Sequence, residues 1–304
     1  MARDFWKYWR MMRKKWDAGR MARRTKFDQP YWILLPIWLS SAYSGNKRSG
    51  KTLGGFIKDI LWAQYCLFLF VRIQDDLFDK HVSSQSLIFI SNRFLLEAER
   101  KFSIYFAVRS SFWKIYRAHL RETTLAIQHV DKLQRSLNAK PRHLLVAYAK
   151  VNAIFKTASI AVCLKYDRMR DFEYIQQFAD EVATGSQILD DFEDIVEDLH
   201  RKRFNYAANV ILRSAPRTKD ARGTNPDRIA RSLVFTPAGT ELLTEVRDRL
   251  ARGYDALKPL GIAEAGEFSE AYRRSLDAIQ TQFNYKRAKL IVGKVALGKR
   301  KFAR

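Results

Sequence analysis

Apolar residues recur at spacings of three and four along most of the chain after residue 55, which places them on one face of an α-helix. This pattern predicts helices over residues 56–80, 84–107, 110–136, 140–163, 171–204, 239–257 and 267–296. No segment alternates apolar and polar residues in the manner of a strand, and no internal repeat is present. We therefore predict an all-α protein, a helical bundle built as a single domain.

Two stretches depart from the helical pattern. Pro30 to Ser41 is apolar but is broken by Pro36, and Arg213 to Gly239 collects three prolines and two glycines with several basic residues. Prolines and glycines in this density are typical of a loop. The second stretch is therefore predicted to connect two helices without regular structure of its own.

An acidic run covers residues 190–198, where six of nine side chains are carboxylates. At about 100° per residue, Asp190, Asp194 and Asp198 fall in one stripe of the predicted helix. Like charges at this spacing destabilise a helix by about 0.2–0.5 kcal/mol per pair, and the run contains no Lys or Arg. Two interpretations follow: a solvated acidic surface, or a face that binds a divalent metal such as Mg²⁺ together with a phosphate-bearing substrate.

A second acidic group ends an apolar segment, Leu61 to Ile73, which is predicted to be a buried helix. This group consists of Asp75, Asp76 and Asp79, and the first and last of these are i,i+4 neighbours. A buried helix that ends in three acids favours a metal site over mere solubility. The alternative is a salt bridge, since Arg72 can pair with Asp75 or Asp76.

The two acidic segments, DDLFD at residues 75–79 and DDFEDIVED at residues 190–198, start 115 residues apart. As a pair they resemble the two aspartate-rich motifs of class I isoprenoid synthases, which are the trans-prenyltransferases, the class I terpene cyclases and the squalene/phytoene synthases. The resemblance extends over roughly residues 55–285. It implies a helical bundle with a central active-site cavity, a homodimer, and Mg²⁺-dependent ionisation of an allylic prenyl diphosphate.

The resemblance also assigns roles to individual residues. Asp75, Asp76 and Asp79 would be catalytic, and three Mg²⁺ ions with the diphosphate would be held by Asp75, Asp79, Asp190, Asp191, Asp194 and Asp198. Lys156 with Thr157 resembles the Lys-Thr pair of prenyltransferases. Lys202, Arg203 and Tyr206 follow the acids as basic residues and a tyrosine do in squalene/phytoene synthases, although Lys202 replaces the glycine of that pattern. These four side chains, Lys156, Lys202, Arg203 and Tyr206, would bind the substrate.

Alternatives to these roles stay open. Lys156 is equally well placed as a polar position on a helix, and basic residues near a helix C-terminus complement its dipole. Phe68 and Val71 lie below Asp75 on its side of the helix and would line an apolar slot for the prenyl tail, but each also suits core packing. Together with Phe70, five residues before the motif, they suggest a short substrate.

Chain elongation is favoured within the family by the aspartate-rich form of both motifs, by Lys156-Thr157 and by Gln187. Prenyltransferases usually carry two arginines shortly after the first motif, where this chain has Lys80-His81. A cyclase does not need them, but it usually has Asn, Ser/Thr and Glu at the spacing of residues 190, 194 and 198. We expect a prenyltransferase, with a terpene cyclase acting on a short prenyl diphosphate as the alternative.

The polar loop Gly45–Thr52 fits the phosphate-loop pattern GxxxxGK[ST]. The strand required before such a loop is missing, because Pro36 and three serines intervene. Under the isoprenoid resemblance, Gly45, Lys47 and Arg48 are similar to the Gly-Gly-Lys-Arg segment that holds the second, homoallylic diphosphate.

Charge is concentrated at the two ends of the chain, which has a net charge of +23. Residues 1–26 hold ten Lys/Arg against two Asp, and residues 286–304 hold eight Lys/Arg and no acid. We predict a basic aromatic arm over 1–29, the helical domain over 30–285 and a basic tail over 286–304. Such tails contact anionic membranes or nucleic acid phosphates, and the aromatic residues of the arm favour a membrane.

A basic protein that binds nucleic acid or a membrane surface is therefore the alternative from a different functional class, although no nucleic-acid-binding motif supports the former. The two cysteines, Cys66 and Cys163, show neither a disulfide framework nor zinc spacing. No transmembrane segment or secretory signal is predicted. We expect a cytoplasmic protein, and two interpretations of its basic arm stay open: peripheral association with an anionic membrane, or a solvated helix or disordered arm.

Overall fold

A computed structural model describes residues 30–45, 54–78, 84–214, 229, 232–233 and 236–301. These residues form eleven α-helices and no strand, so the all-α prediction is confirmed. The helices are α1 (Tyr31–Tyr43), α2 (Gly55–Phe78), α3 (Ser86–Ser103), α4 (Ser111–Gln134), α5 (Pro141–Val151), α6 (Thr157–Lys165), α7 (Phe172–Glu193), α8 (Ile195–His200), α9 (Tyr206–Ser214), α10 (Ala238–Leu257) and α11 (Ala263–Lys301). Short 3₁₀ turns cover Ala153–Lys156, Met169–Asp171 and Lys258–Leu260.

The chain divides into two compact units. Unit 1 comprises Met1–Leu125, Lys150–Asp180 and Gly253–Phe268, and unit 2 comprises Ala126–Ala149, Glu181–Arg252 and Ser269–Arg304. Each boundary falls inside a helix. The domain limits at residues 29/30 and 285/286 and the central cavity stay predictions.

The core of unit 1 is organised by the pairing of α2 with α3. Leu69 and Ile73 of α2 pack against Leu87 and Ile90 of α3, and burying each side chain contributes about 1.5–3 kcal/mol. Helix α2 is less buried than its apolar sequence predicts, since Trp62 is 45% exposed. The indole nitrogen of Trp62 donates to Glu97 of α3.

The predicted helix over 140–163 is interrupted after Asn152, where a 3₁₀ turn separates α5 from α6. Side chains from other helices replace two backbone acceptors there. The amide of Ile154 donates to the Thr123 hydroxyl at 3.0 Å, and the amide of Ala158 donates to the Gln64 side-chain oxygen at 3.0 Å. The break therefore depends on tertiary contacts that hydrophobic periodicity does not report.

Helix α1 contains Pro36 in its interior, at the position where the sequence analysis placed a break. Proline removes one backbone donor from a helix. The apolar residues around it, among them Trp32, Leu35 and Leu39, are buried, and this packing keeps the segment helical across the proline.

In unit 2, α7 and α8 are separated at Asp194, so the predicted helix over 171–204 is also broken. The rings of Phe192 and Phe283 meet edge to face with centroids 5.5 Å apart. Arg247 of α10 is paired with Asp277 of α11 at 2.8 Å. These contacts hold α7, α10 and α11 together.

No single helix in the described part of the chain is long and apolar enough to span a membrane. One bent pair, Pro141–Val151 with Ala153–Lys165, passes that test together, on length and composition alone.

Gly239, the second residue of α10, lies in a position without room for a side chain. A Cβ there would lie 2.4 Å from the Phe283 ring and 2.6 Å from the Leu233 carbonyl oxygen. We expect Gly239→Ala to lower the free energy of unfolding by about 1–3 kcal/mol, because backbone and ring must both shift.

Gly185 is the matched control, since its Cβ would meet only ordinary contacts at 3.7 Å or more inside α7. Gly185→Ala should raise the free energy of unfolding by about 0.5–1 kcal/mol, as alanine does in a helix interior. Chemical denaturation of both variants measures the difference. Equal effects of the two substitutions would contradict the packing described here.

Candidate active site

Asp75 and Asp76 occupy the last turn of α2, in unit 1. Asp76 is fully buried, and its carboxylate accepts a hydrogen bond of 2.8 Å from the Arg72 guanidinium. Asp75 keeps 39% of its side chain exposed and lies 3.4 Å from the same guanidinium. The salt bridge considered as an alternative therefore exists, but it leaves Asp75 accessible to a ligand. Asp79 lies outside the described residues.

An aromatic cluster lies along the same helix. Phe68 is seven residues before Asp75, which places it on the same face about 10 Å away along the axis. Its ring stacks on Trp32 of α1 with centroids 4.9 Å apart, and Trp32 also stacks on Phe155 at 5.6 Å. Trp32 and Phe155 are buried, whereas Phe68, Phe70 and Val71 are half-buried. The cluster forms a rigid apolar wall.

Lys156 is almost completely buried in unit 1, with 5% of its side chain exposed. Its ammonium group lies 2.5 Å from the Asp180 carboxylate of α7. Burial raises the pKa of Asp180, and the charge of Lys156 opposes that rise. Thr157 is also buried, and its hydroxyl donates to the Ile154 carbonyl oxygen at 2.7 Å. In this structure both residues of the Lys-Thr pair have partners within the protein.

The second acidic motif lies in unit 2 and is organised by Asp191, which is 3% exposed. Its carboxylate accepts hydrogen bonds from the Tyr148 hydroxyl at 2.6 Å, the Tyr206 amide at 2.8 Å and the Gln187 side chain at 3.2 Å. Burial raises the pKa of Asp191 to about 7, against the lowering effect of these donors. This arrangement suits an anchor between helices better than a metal ligand.

Asn205 completes the anchor. Its side-chain amide donates to the Asp191 carbonyl oxygen at 2.9 Å and to the Asp198 carboxylate at 2.7 Å. Its side-chain oxygen accepts the Ala208 amide at 2.9 Å and so caps the start of α9. One buried residue thus fixes the end of α7, the short helix α8 and the start of α9.

Asp194 occupies the N-cap position of α8. The pKa of Asp194 is raised, and burial is the largest cause. The neighbouring carboxylates raise it further; they belong to Asp190, Asp198, Glu197 and Glu193. Negative charges therefore converge on an exposed carboxylate. Asp190 and Asp198 beside it are half-buried. A bound cation would relieve this repulsion.

The basic residues after the motif occupy a tight turn. Lys202 is exposed and has a left-handed backbone with φ 58°. Arg203 is half-buried, and its guanidinium donates to the Gln134 side chain at 3.1 Å. Tyr206 is 9% exposed, and burial raises the pKa of its hydroxyl. Of the three, only Lys202 projects from a fully exposed position.

No protein-family model and no curated protein matches the sequence. Solved structures do match. A polyprenyl synthase from Roseobacter denitrificans superposes with a TM-score of 0.64 and 14% identity, over 82% of this chain and 85% of the other. A decaprenyl diphosphate synthase from Rhodobacter capsulatus superposes with the same TM-score and 11% identity, over 81% of this chain and 85% of the other.

The chain has the class I isoprenoid synthase fold. The fold implied by the two aspartate-rich motifs is thus confirmed. The neighbours share too little sequence for residue roles to be transferred from them, so the roles assigned above stay predictions.

The carboxylates of the two aspartate-rich segments have the right chemistry for Mg²⁺, which prefers hard oxygen ligands. Asp75, Asp190, Asp194 and Asp198 are accessible enough to supply such oxygens. Among the described residues, however, no three acidic, histidine or cysteine side chains are gathered in a geometry that would hold an ion. The carboxylate oxygens of each motif therefore suit the metal chemically, and the ligand roles stay predictions.

The sequence analysis missed several residues that hold this site. Trp32, Phe155, Tyr148 and Gln134 carried no signal beyond an ordinary helical pattern. Asn205 did carry one, since an asparagine before an apolar helical run is a typical N-cap. Lys47 and Arg48, which the sequence analysis compared with a diphosphate-binding segment, lie outside the described residues.

The different environments of Asp191 and Asp194 predict opposite effects on stability. Asp191→Asn should lower the free energy of unfolding by about 1–3 kcal/mol, because the new amide opposes buried donors. Asp194→Asn should leave stability unchanged or raise it, since it removes like-charge repulsion. Urea denaturation without divalent metal measures both. A stable Asp191→Asn protein would show that the anchor is not structural.

Proposed function

We propose that this protein is a Mg²⁺-dependent class I isoprenoid synthase that ionises an allylic prenyl diphosphate, and specifically a prenyltransferase that performs chain elongation or prenyl condensation. The observation that carries the proposal is the occurrence of both aspartate-rich motifs, in the family's order, on a chain with this fold. The names of the two structural neighbours, a polyprenyl synthase and a decaprenyl diphosphate synthase, favour transfer.

The proposed metal ligands are Asp75, Asp79, Asp190, Asp194 and Asp198. Asp76 and Asp191 are left out of this set, because Arg72 holds the first and three donors hold the second. Bound Mg²⁺ would act as a Lewis acid that neutralises the diphosphate as it leaves. The buried aspartates orient their accessible neighbours, since each fixes the helix segment on which a proposed ligand lies.

Basic side chains of the chain itself would complete the neutralisation. Lys202 and Arg203 follow the second motif, and we propose that they bind diphosphate oxygens. Lys156 is proposed for the same task, but its ammonium must first leave Asp180, which lies 2.5 Å away. The exchange is electrostatically reasonable, because a diphosphate carries more charge than one carboxylate.

The apolar tail of the substrate would lie along α2 below Asp75. Phe68 projects about 10 Å below the motif, and its contact with Trp32 prevents the ring from moving aside. An aromatic cluster at that distance from Asp75 leaves room for a short prenyl tail. It would also shield the carbocation formed on ionisation from water.

One alternative shares the ionisation step, and the other is not an enzyme. A terpene cyclase would use one prenyl diphosphate and no second diphosphate, and the absence of an arginine pair after the first motif favours it. A basic protein without enzymatic activity would bind nucleic acid or a membrane through its tails. The cytoplasmic location stays a prediction.

Diphosphate release tests the proposal. The purified protein is incubated with Mg²⁺ and dimethylallyl, geranyl, farnesyl or geranylgeranyl diphosphate, each with and without isopentenyl diphosphate, and products are extracted. We expect release that requires isopentenyl diphosphate and Mg²⁺, with a product one or more isoprene units longer. Chelation of the metal should abolish release, because the leaving group then carries uncompensated charge.

Asp75→Asn and Asp190→Asn should lower kcat/KM by a factor of 100 or more, on the order of 3 kcal/mol. Asp255→Asn is the matched control, because this exposed residue forms only a surface pair with Lys258. Release from one substrate alone, with a hydrocarbon or alcohol product, would indicate a cyclase. No release from any substrate would refute the enzymatic proposal.

We further propose a homodimer, supported by an exposed apolar stripe on α3. Phe89 is 64% and Leu96 is 63% exposed, and they lie two helical turns apart on one face. Leu96→Asp should convert a dimer into monomers in sedimentation equilibrium, while Leu137→Asp, at 51% exposure in unit 2, should not. A monomeric wild-type protein at micromolar concentration would exclude the dimer.

A further inference from the structure

The start of α2 is the end of this helix that lies away from Asp75 and Asp76. Asp59, near the start of α2, is bound by Lys101 and by the Tyr105 hydroxyl, the latter at 2.8 Å. The rings of Phe56 and Tyr105 meet edge to face with centroids 5.0 Å apart. The connection between α3 and α4 therefore lies beside the start of α2. Asp75 is sixteen residues further along that helix, about 24 Å away.

This connection exposes apolar side chains while being firmly anchored. Ile104 is 54% exposed and Val108 is 80% exposed. Between them, Phe106 is buried and stacks on Phe112 with ring centroids 4.2 Å apart. The indole nitrogen of Trp113 donates to the Phe106 carbonyl oxygen at 3.1 Å. The two aliphatic side chains thus project from a fixed turn rather than from a loose loop.

Cationic side chains lie on this connection and on the helix ends next to it. Lys58, Arg109, Lys114 and Lys165 are all exposed, and none of them forms an ion pair with a residue that the structure describes. Lys165 belongs to this surface because its ammonium lies 5.8 Å from the centroid of the Phe56 ring. By contrast, Lys101 in the same region is paired with Asp59.

We infer that this surface, formed by Lys58, Ile104, Val108, Arg109, Lys114 and Lys165, docks on an anionic lipid bilayer. Cations without an ion-pair partner among the described residues are attracted to anionic headgroups, and exposed aliphatic side chains on the same connection can enter the acyl boundary. A nucleic acid would gain from the cations but not from Ile104 and Val108, since single strands are bound on exposed aromatic faces. The Phe56 and Tyr105 rings pack edge to face against each other instead.

The inference is independent of the proposed enzymatic activity, because it rests on this surface alone. If both hold, a substrate tail that extends from Asp75 along α2 points toward the lipid. The protein would then ionise its substrate at one end and approach the membrane with the other.

Co-sedimentation of the full chain with vesicles tests the inference, without any prenyl diphosphate. Vesicles of phosphatidylcholine with 30% phosphatidylglycerol are compared with pure phosphatidylcholine. Arg109→Glu/Lys114→Glu should lower the partition coefficient for anionic vesicles at least ten-fold, since each basic residue contributes about five-fold. Lys132→Glu/Arg142→Glu is the matched control, with the same charge change at exposed positions of unit 2, and should lower it less than three-fold.

Equal losses in the two double variants would show that overall charge or the basic tails drive binding, and would overturn the inference. The inference would also be overturned if Arg109→Glu/Lys114→Glu retained vesicle binding but lost binding to a fluorescent RNA or DNA oligonucleotide. That outcome would indicate that the surface binds nucleic acid.

A second measurement does not depend on charge reversal being tolerated. Cys66 and Cys163 are buried, so V108C and V146C can each be labelled with an environment-sensitive fluorophore. Val108 should show a blue shift on anionic vesicles, whereas Val146, at 59% exposure in unit 2, should show none. No shift at Val108 would contradict insertion of this surface.

Discussion

Burying a carboxylate is costly unless hydrogen bonds compensate for the lost water, and unit 2 is arranged around the hydrogen bonds that one buried carboxylate, Asp191, accepts. Asp191 receives a hydroxyl, a backbone amide and a side-chain amide from three different segments. Each donor is worth roughly twice a neutral hydrogen bond because its acceptor is charged. Removing any of these donors would leave the charge of Asp191 less compensated in an apolar environment. The three hydrogen bonds therefore hold the end of α7, the start of α9 and Tyr148 of α5 together.

The two consecutive aspartates of the first motif also differ in burial. Asp76 is fully buried and bound by Arg72, whereas Asp75 remains partly exposed. In each Asp-Asp pair, the second residue anchors the helix and the first stays accessible. Adjacent helical residues point about 100° apart, so one can face the core while the other faces a ligand. In a pair of consecutive aspartates, the buried residue can therefore fix the helix while the other carboxylate stays accessible to a ligand.

Hydrophobic periodicity was sufficient to predict most helices and the all-α class, because it reports which face of a helix is buried. It was insufficient at Asn152, where Thr123 and Gln64 supply the acceptors that make a break tolerable. It also gave no reason to expect a helix through Pro36, which is held by buried neighbours. The acidic motifs were found from spacing alone. Spacing cannot distinguish a buried carboxylate from an exposed one, and so Asp191 was grouped with its accessible neighbours.

Lys202 has a backbone conformation that favours glycine. Squalene/phytoene synthases resemble this segment but have glycine where this chain has Lys202, and the backbone there is left-handed. A lysine in that conformation costs roughly 1 kcal/mol relative to glycine. The turn nevertheless forms, because it lets the Arg203 amide donate to the Asp198 carbonyl oxygen at 2.8 Å. The left-handed turn thus forms with a lysine at this position, and it leaves that side chain exposed four residues after Asp198.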